Sequence, residues 1–370
     1  MLVTNDFPPR QGGIQSFVHG MATRLPVEHL VVYCSTSPGA AAFDAEQPFP
    51  VVRARTSMLL PTPGAARAAA RVAVEHDCDA VWFGAAAPLG LLAAGLKRRT
   101  AIRRAVALTH GHEVGWAKLP VARTALRRIA RGCDVVTYLA EYSRARLAPA
   151  IDALTSLEQL TFGVDTGEFS PTVDRAAIRR RFGLGDRPVI GCVSRLVPRK
   201  GQDSLVEALP LVRERVPDAA LLLVGGGPYE KALRRRIAAA GMGDHVVLTG
   251  PVPGSELPAC YAAMDVFAMP CRTRRRGLDV EGLGVVYLEA AATGLPVIAG
   301  DSGGAPDTVR HGETGFVVDG RDIPALADRL STVLGDRELA ARMGAAGRDW
   351  MCRAWTWPTV AERLAKLLSP

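Results

Sequence analysis

The chain is predicted to be an α/β protein of two successive units, each a parallel sheet with covering helices. Three observations predict it. At 370 residues it exceeds what one compact core ordinarily holds, so two domains are expected. Short apolar runs alternate with segments of helical spacing along nearly the whole length, the pattern of repeated strand–helix units. Between the halves, Gly163-Val164-Asp165-Thr166 through Pro171 has the character of a linker. No apolar run is long enough to span a bilayer, and Met1-Leu2-Val3-Thr4 passes directly to Asn5-Asp6-Phe7-Pro8-Pro9 without a signal-peptide pattern.

In the first unit, Leu2-Val3-Thr4 reads as a short strand, the loop Asn5 to Gly13 follows, and Ile14, Phe17, Val18, Met21 and Leu25 recur at helical spacing. Strand, Gly-Gly loop and helix form a layout in which backbone approaches a ligand closely. It is not G-x-G-x-x-G, so the dinucleotide fingerprint of a nicotinamide oxidoreductase is absent. Leu30 to Tyr33, Ala80 to Phe83, Ala105 to Thr109 and Asp134 to Tyr138 are expected strands, with helices at 64–76 and 141–147. His110-Gly111-His112-Glu113 falls at a strand's C-terminal end, where open α/β sheets bind ligands. Its spacing is not H-E-x-x-H, which argues against zinc. Arg123, Arg127, Arg128 and Arg131 have helical spacing, as a solvated face or a contact with anionic lipid.

In the second unit, strands are expected at 188–194, 219–224, 245–250, 265–269, 297–299 and 315–319, and helices at about 203–212, 230–240, 261–264, 285–292 and 323–334. A single amphipathic helix from Trp350 to Leu368, carrying Trp355 and Trp357, is expected to pack across both units. Arg195 and Lys200 lie on the connection between the first of these strands and the next helix, where fixed cations suit a diphosphate. Glu281 falls in a loop, and Glu289 lies about a turn inside the helix that starts at Val285. The N–H groups at that helix start form an anion site, and a carboxylate just before it accepts from hydroxyls. Two acids so placed suit a ligand that is part sugar and part phosphate.

The formal charge of +8 admits an acidic partner: a nucleotide, an anionic membrane or nucleic acid. Residues up to 165 hold 18 basic and 13 acidic side chains and the remainder 27 and 24, so the excess leans towards the N-terminal part. Only five of the basic residues are lysine, an arginine bias that discounts any single patch. Seven scattered cysteines, with no C-x-x-C pair, point to a reducing cytoplasm and to neither disulfides nor zinc.

Gly12-Gly13, Ser194-Arg195-x4-Lys200-Gly201, Val224-Gly-Gly-Gly-Pro-Tyr229 and Glu281-x7-Glu289, in that order, resemble the retaining glycosyltransferases of family 4. The resemblance implies a GT-B fold, two Rossmann-like domains facing each other across a cleft. Residues 1–165, completed by a C-terminal helix at about 353–370, would bind the acceptor, and 166–352 the nucleotide sugar. Further stretches, among them Thr4 to Ser16, Val81 to Pro88, Thr109 to Trp116, Val197 to Asp203 and Val266 to Thr273, are similar to the actinobacterial GDP-mannose-dependent members that extend phosphatidylinositol monomannoside to the dimannoside. The alternative is a family 4 enzyme with another glycolipid or sugar acceptor, or another nucleotide-sugar donor.

By the same resemblance, Arg195 and Lys200 would hold the diphosphate, Glu289 the ribose, and the 249–252 loop with Val252 the base. Glu281 with the backbone of Gly282, Leu283, Gly284 and Val285 would hold the mannose hydroxyls and β-phosphate. Gly12 and Gly13 would meet diphosphate and acceptor, His110 the transferred sugar, and Asp6 and His112 the acceptor. His110, Glu281, Arg195 and Lys200 are the implied catalytic set. No metal ligands or obligatory cofactor are implied, Mg2+ entering at most as a stimulator. The implied partners are GDP-mannose, a phosphatidylinositol-type glycolipid and, peripherally, the cytoplasmic face of the plasma membrane, with no nucleic acid. The chain departs from the family at Thr161-Phe162, where a proline is usual, and in the basic run Arg274-Arg275-Arg276.

Overall fold

The computed structural model describes residues 1–111, 113–151 and 154–369. It divides into two compact units, Met1–Gly163 with the C-terminal segment from Trp357, and Val164–Thr356. The expected acceptor residue His112 lies outside the described residues.

Unit 1 holds β1 (Leu2–Thr4), α1 (Gly13–Ala22), β2 (Val32–Ser35), α2 (Ala40–Ala45), β3 (Val51–Ala54), α3 (Pro63–Glu75), β4 (Ala80–Phe83), α4 (Ala93–Arg99), β5 (Arg104–Ala107), α5 (Glu113–Lys118), α6 (Pro120–Gly132), β6 (Val135–Tyr138), α7 (Glu141–Leu147) and β7 (Ser156–Gln159). Its sheet is parallel, in the order β3-β2-β1-β4-β5-β6-β7. The strands are apolar on both sides because both sides are covered. On one face Val3, Val81, Phe83 and Ala107 pack with Leu96 of α4 and Leu126 and Ile129 of α6. On the other, Leu2, Trp82 and Val106 pack with Phe17 and Met21 of α1.

Unit 2 holds α8 (Ala176–Arg181), β8 (Val189–Val193), α9 (Gln202–Arg215), β9 (Ala220–Val224), α10 (Glu230–Ala239), β10 (Val246–Gly250), α11 (Leu257–Ala262), β11 (Val266–Met269), α12 (Val285–Ala292), β12 (Val297–Gly300), β13 (Gly315–Val318), α13 (Ile323–Gly335) and α14 (Arg337–Ala354). The sheet, again parallel, runs β10-β9-β8-β11-β12-β13. α15 (Trp357–Leu368) belongs to unit 1, where Val360 and Leu364 join the α1 face.

Two expectations are corrected. The single helix from Trp350 to Leu368 is two helices, one in each unit. Trp355 leaves helical geometry at the end of α14, Thr356 bridges to Val164 in parallel, and Pro358 falls in the first turn of α15. A proline there starts a helix and cannot continue one. Strands β3 and β7 were not expected. Both are edge strands, with sequences VVRA and SLEQ too polar or too short to register as apolar runs. Smaller shifts occur elsewhere: β2 starts two residues later than the apolar run at Leu30, and the helix expected at 261–264 is α11, which starts at Leu257.

Candidate functional site

In each sheet the strand order reverses once, between β1 and β4 in unit 1 and between β8 and β11 in unit 2. Ligands of open α/β sheets bind at the C-terminal ends of strands beside such a reversal. The loops that leave β1, β8 and β11 carry Asp6, Gly12 and Gly13, then Arg195 and Lys200, then Glu281. These residues thus lie beside the reversal of their own unit, whereas His110 follows β5 and Val252 follows the edge strand β10.

In unit 2 the loop after β8 and the loop after β11 are joined by ions. Glu281, only 6% exposed, receives Lys200 Nζ at 2.7 Å and Arg199 Nη1 at 2.6 Å on Oε2. Lys200 is itself 9% exposed. Arg199 also reaches Asp279 through Nε at 3.3 Å, so one guanidinium ties both acids of the β11 loop. Behind it, Arg272 donates to Asp203 Oδ2 at 2.5 Å and to Ser204 Oγ at 2.9 Å, and its backbone N–H donates to the Arg199 carbonyl. Tyr229 adds its hydroxyl to Asp203 at 3.1 Å. Buried charges of this kind persist when each has a partner, and removing one partner is costly.

The backbone around Glu281 is held by glycine. A Cβ on Gly303, at φ 60°, would lie 1.8 Å from the Glu281 carbonyl oxygen, and Gly304 N–H donates to that same oxygen at 3.0 Å. Gly284, at φ 88°, then turns the chain into α12, whose first N–H groups have no partner inside the helix. Gly282 is exposed and Leu283 buried, while Gly284 and Val285 are partly exposed. Cys271, buried beneath this loop, has its thiol pushed up to about 11, by burial first and then by the Glu281 charge.

Glu289 lies on α12, one turn past its start, and accepts from the hydroxyl of fully buried Tyr261 at 2.6 Å. Burial raises its pKa, the Tyr261 hydrogen bond opposes that rise, and the neighbouring Glu168 charge adds to it. The Gly225-Gly226-Gly227 turn is a close approach of three segments. A Cβ on Gly227 would meet the Leu196 carbonyl at 2.4 Å, and one on Gly226 would meet Pro251. The turn therefore sets the Arg195 loop and the 249–252 loop, with Val252, side by side. Arg195 itself is exposed.

In unit 1, Thr4 at the end of β1 receives the Asp6 N–H on Oγ1 at 2.8 Å, and Gln15 Nε2 donates to Asp6 Oδ1 at 2.8 Å. His110 Nε2 donates to the Gly84 carbonyl at 2.6 Å, and Phe17 meets the imidazole edge-on at 5.5 Å. Gly12 and Gly13 are both exposed at the start of α1, and the space beside Gly13 is open. Arg53 braces this loop from behind, donating to the Pro8 carbonyl at 2.6 Å and pairing with Asp44.

Lys200 and Glu281 are brought into direct contact, whereas Arg195 and Glu289 are placed by separate elements. Sequence reasoning missed Arg199, Asp279, Tyr261 and Gly303. Arg199 adjoins Lys200, and Ser302-Gly303-Gly304 after β12 repeats the strand-then-Gly-Gly pattern read at Gly12-Gly13. The arrangement sets cations, a carboxylate and a helix N-terminus within one loop pair. It offers acceptors to hydroxyls and donors to phosphate side by side.

Comparison with known proteins places the chain in a family. Residues 11–166 match the family described as Glycosyltransferase Family 4, and residues 174–350 that described as Glycosyl transferases group 1. A Mycolicibacterium smegmatis protein named GDP-mannose-dependent alpha-(1-6)-phosphatidylinositol monomannoside mannosyltransferase is 55% identical over 100% of this chain and 98% of its own length. A Corynebacterium glutamicum protein, named as acting on the monoacylated monomannoside, is 47% identical over 100% and 97%. Among solved structures, Anabaena HepE with UDP superposes with a TM-score of 0.81 at 21% identity, covering 99% of both chains. A Rickettsia africae glycosyltransferase gives 0.82 at 18%, covering 99% of this chain and 97% of its own. At such identities the two structures speak to the fold. The fold, the family matches and the full-length relatives together define a glycosyltransferase of the GT-B class. More particularly, the chain belongs to glycosyltransferase family 4.

Proposed function

We propose that this protein is a retaining α-mannosyltransferase that moves mannose from GDP-mannose to phosphatidylinositol monomannoside, giving the dimannoside. The observation that carries the reading is similarity over the whole chain, at 55% identity, to a relative named for that donor and acceptor. Relatives named D-inositol 3-phosphate glycosyltransferase are 36–37% identical over only 51–56% of the chain, which favours the lipid acceptor over a free inositol phosphate.

In this reading unit 2 holds the donor. The α12 N-terminus and Lys200 take the β-phosphate, with Arg195 reaching the diphosphate from the rim. Glu281 exchanges its cations for mannose hydroxyls, Glu289 accepts from the ribose, and the loop at Val252 lies against the base. Unit 1 supplies Gly12 and Gly13 towards diphosphate and acceptor, His110 towards the mannose and Asp6 towards the acceptor. The acceptor hydroxyl oxygen bonds to C1 on the face from which the C1–O–phosphate bond breaks. Its proton passes to the departing phosphate oxygen, and the configuration is kept. The chain's contribution is a preorganised positive site for the GDP that leaves. The enzyme works peripherally at the cytoplasmic leaflet, where the acceptor resides. None of the described helices is long and apolar enough to cross a membrane.

The test is transfer of radiolabelled mannose from GDP-mannose to phosphatidylinositol and, separately, to its monomannoside, with UDP-glucose as control donor. Label in the monomannoside reaction alone supports the proposal. Label in neither lipid overturns it.

A further inference from the structure

The net charge of this chain is concentrated in a short stretch. Residues 93–131 contain ten basic side chains and one acid, Glu113, while the other residues hold 35 basic and 36 acidic ones. An arginine-rich composition would spread the excess, so the clustering calls for its own cause. The one acid is fully buried.

The fold gathers much of this charge on one side of unit 1. α4 and α6 bury Leu96, Leu126 and Ile129 in the same core cluster, and Gly132 at the end of α6 packs against Ala93 and Ala94 at the start of α4. Their outward sides therefore share one surface. It carries Arg98 and Arg99 from α4 and Arg123, Arg127 and Arg128 from α6, all exposed, and neither helix holds an acidic residue. Lys97 is spent internally, on Asp134 at 2.7 Å.

A second observation separates the candidate partners. Where α6 begins, Leu119 is 62% and Val121 85% exposed, next to Arg123. Exposed apolar side chains beside a row of guanidiniums suit a surface with anionic headgroups above hydrocarbon, and do not suit a phosphodiester backbone alone. We propose that the outer side of α4 and α6 is the docking surface of this protein for an anionic lipid leaflet. The arginines engage the headgroups, and Leu119 and Val121 enter below them. The proposal rests on the reading of the acceptor as a membrane glycolipid and adds the surface by which the enzyme reaches it.

The test is sedimentation of the full chain with vesicles of phosphatidylcholine, and with vesicles in which phosphatidylinositol replaces part of it, at low and high salt. The wild type is expected to bind the anionic vesicles, with binding weakened by salt. Each lost charge is expected to lower it about five-fold, so Arg123→Gln/Arg127→Gln/Arg128→Gln falls on the order of a hundred-fold. Leu119→Ser/Val121→Ser is expected to bind more weakly while keeping the salt dependence. Both variants should transfer mannose to a short-chain, water-soluble acceptor at the wild-type rate. Triple-variant binding equal to wild type overturns the proposal, as does equal binding to neutral vesicles. So does tighter binding to duplex DNA, or self-association on concentration, that the triple variant abolishes. Vesicles without donor or acceptor report docking alone, so its failure leaves the transferase reading standing, and absent transfer leaves docking standing.

Discussion

Replacing Tyr261 by Phe removes one oxygen whose side-chain hydrogen bond, among the described residues, is the 2.6 Å donation to Glu289. The tyrosine is fully buried among Phe169 and Phe267, so the ring stays in place and packing changes little. Its own pKa is held well above the usual value, by burial and then by the Glu289 charge, so it remains a donor across the working range. A hydrogen bond to a charged group contributes about 1.5–3 kcal/mol, and here it supports only the ionised carboxylate. Its loss should tighten the hold of Glu289 on a proton roughly ten- to hundred-fold. The other groups facing the pair push the same way or are neutral: Glu168 raises the Glu289 pKa, and the Cys192 and Cys260 thiols are held neutral at about 11. Burial already raises Glu289 above its unfolded value, so its ionisation costs stability as pH rises through the folded pKa. In the variant that cost is larger at neutral pH and disappears in acid, where the carboxyl is protonated in both proteins. The ionised form is the better acceptor for ribose hydroxyls. KM for GDP-mannose should therefore rise towards acid in both enzymes, beginning at higher pH in Tyr261→Phe, with kcat at saturating donor little changed. Steady-state KM measured against pH checks this. Coincident profiles, or a pH-independent loss of kcat, would refute the role given to Tyr261.

Lys200→Ala and Glu281→Ala should each lower kcat by about a hundred- to thousand-fold while circular dichroism stays native, since each strips one charge from the preorganised site; wild-type turnover in either would remove the pair from the mechanism. Gly303→Ala should cost most of the donor affinity, measured by titration with GDP, because its Cβ cannot coexist with the Glu281 carbonyl at 1.8 Å and the loop must move. Arg276 sits at φ 54° with no glycine-like freedom, so Arg276→Gly should raise the thermal midpoint by a gain of about 0.5–1 kcal/mol, read by calorimetry.

The interior strands were legible because both their faces are covered. Runs such as Leu221 to Val224 and Val297 to Ala299 carry no alternation to confuse, and the helices opened by Glu141 and Val285 begin where their sequences say. The edge strands were not, because Ser156 to Gln159 is fixed by pairing with β6 and not by any apolar signal of its own. The break before Trp357 was written in Pro358, but the amphipathic spacing on both sides of it spoke louder. In the site, Lys200 and Glu281 could be named from their loops, yet their contact is a tertiary fact. So are the two other ties at that carboxylate's surroundings, Arg199 to Asp279 and the Gly304 N–H to the Glu281 carbonyl, which join residues far apart in the chain. Tyr261 could not be found by pattern, since a buried aromatic on an apolar helix face looks like core until its hydroxyl is seen.

The passage of the chain through unit 2 before it returns at Trp357 imposes an order on synthesis. Unit 1 emerges before unit 2 from the ribosome, but the α1 face of its sheet lacks the cover that Val360 and Leu364 provide until unit 2 has been made. Trp357 closes the seam, its ring lying where side chains on Gly20 and Gly163 would otherwise stand. A nascent chain halted after Thr356 would carry a finished second unit and an open first one, its apolar sheet face offered to whatever chaperone or neighbour arrives first.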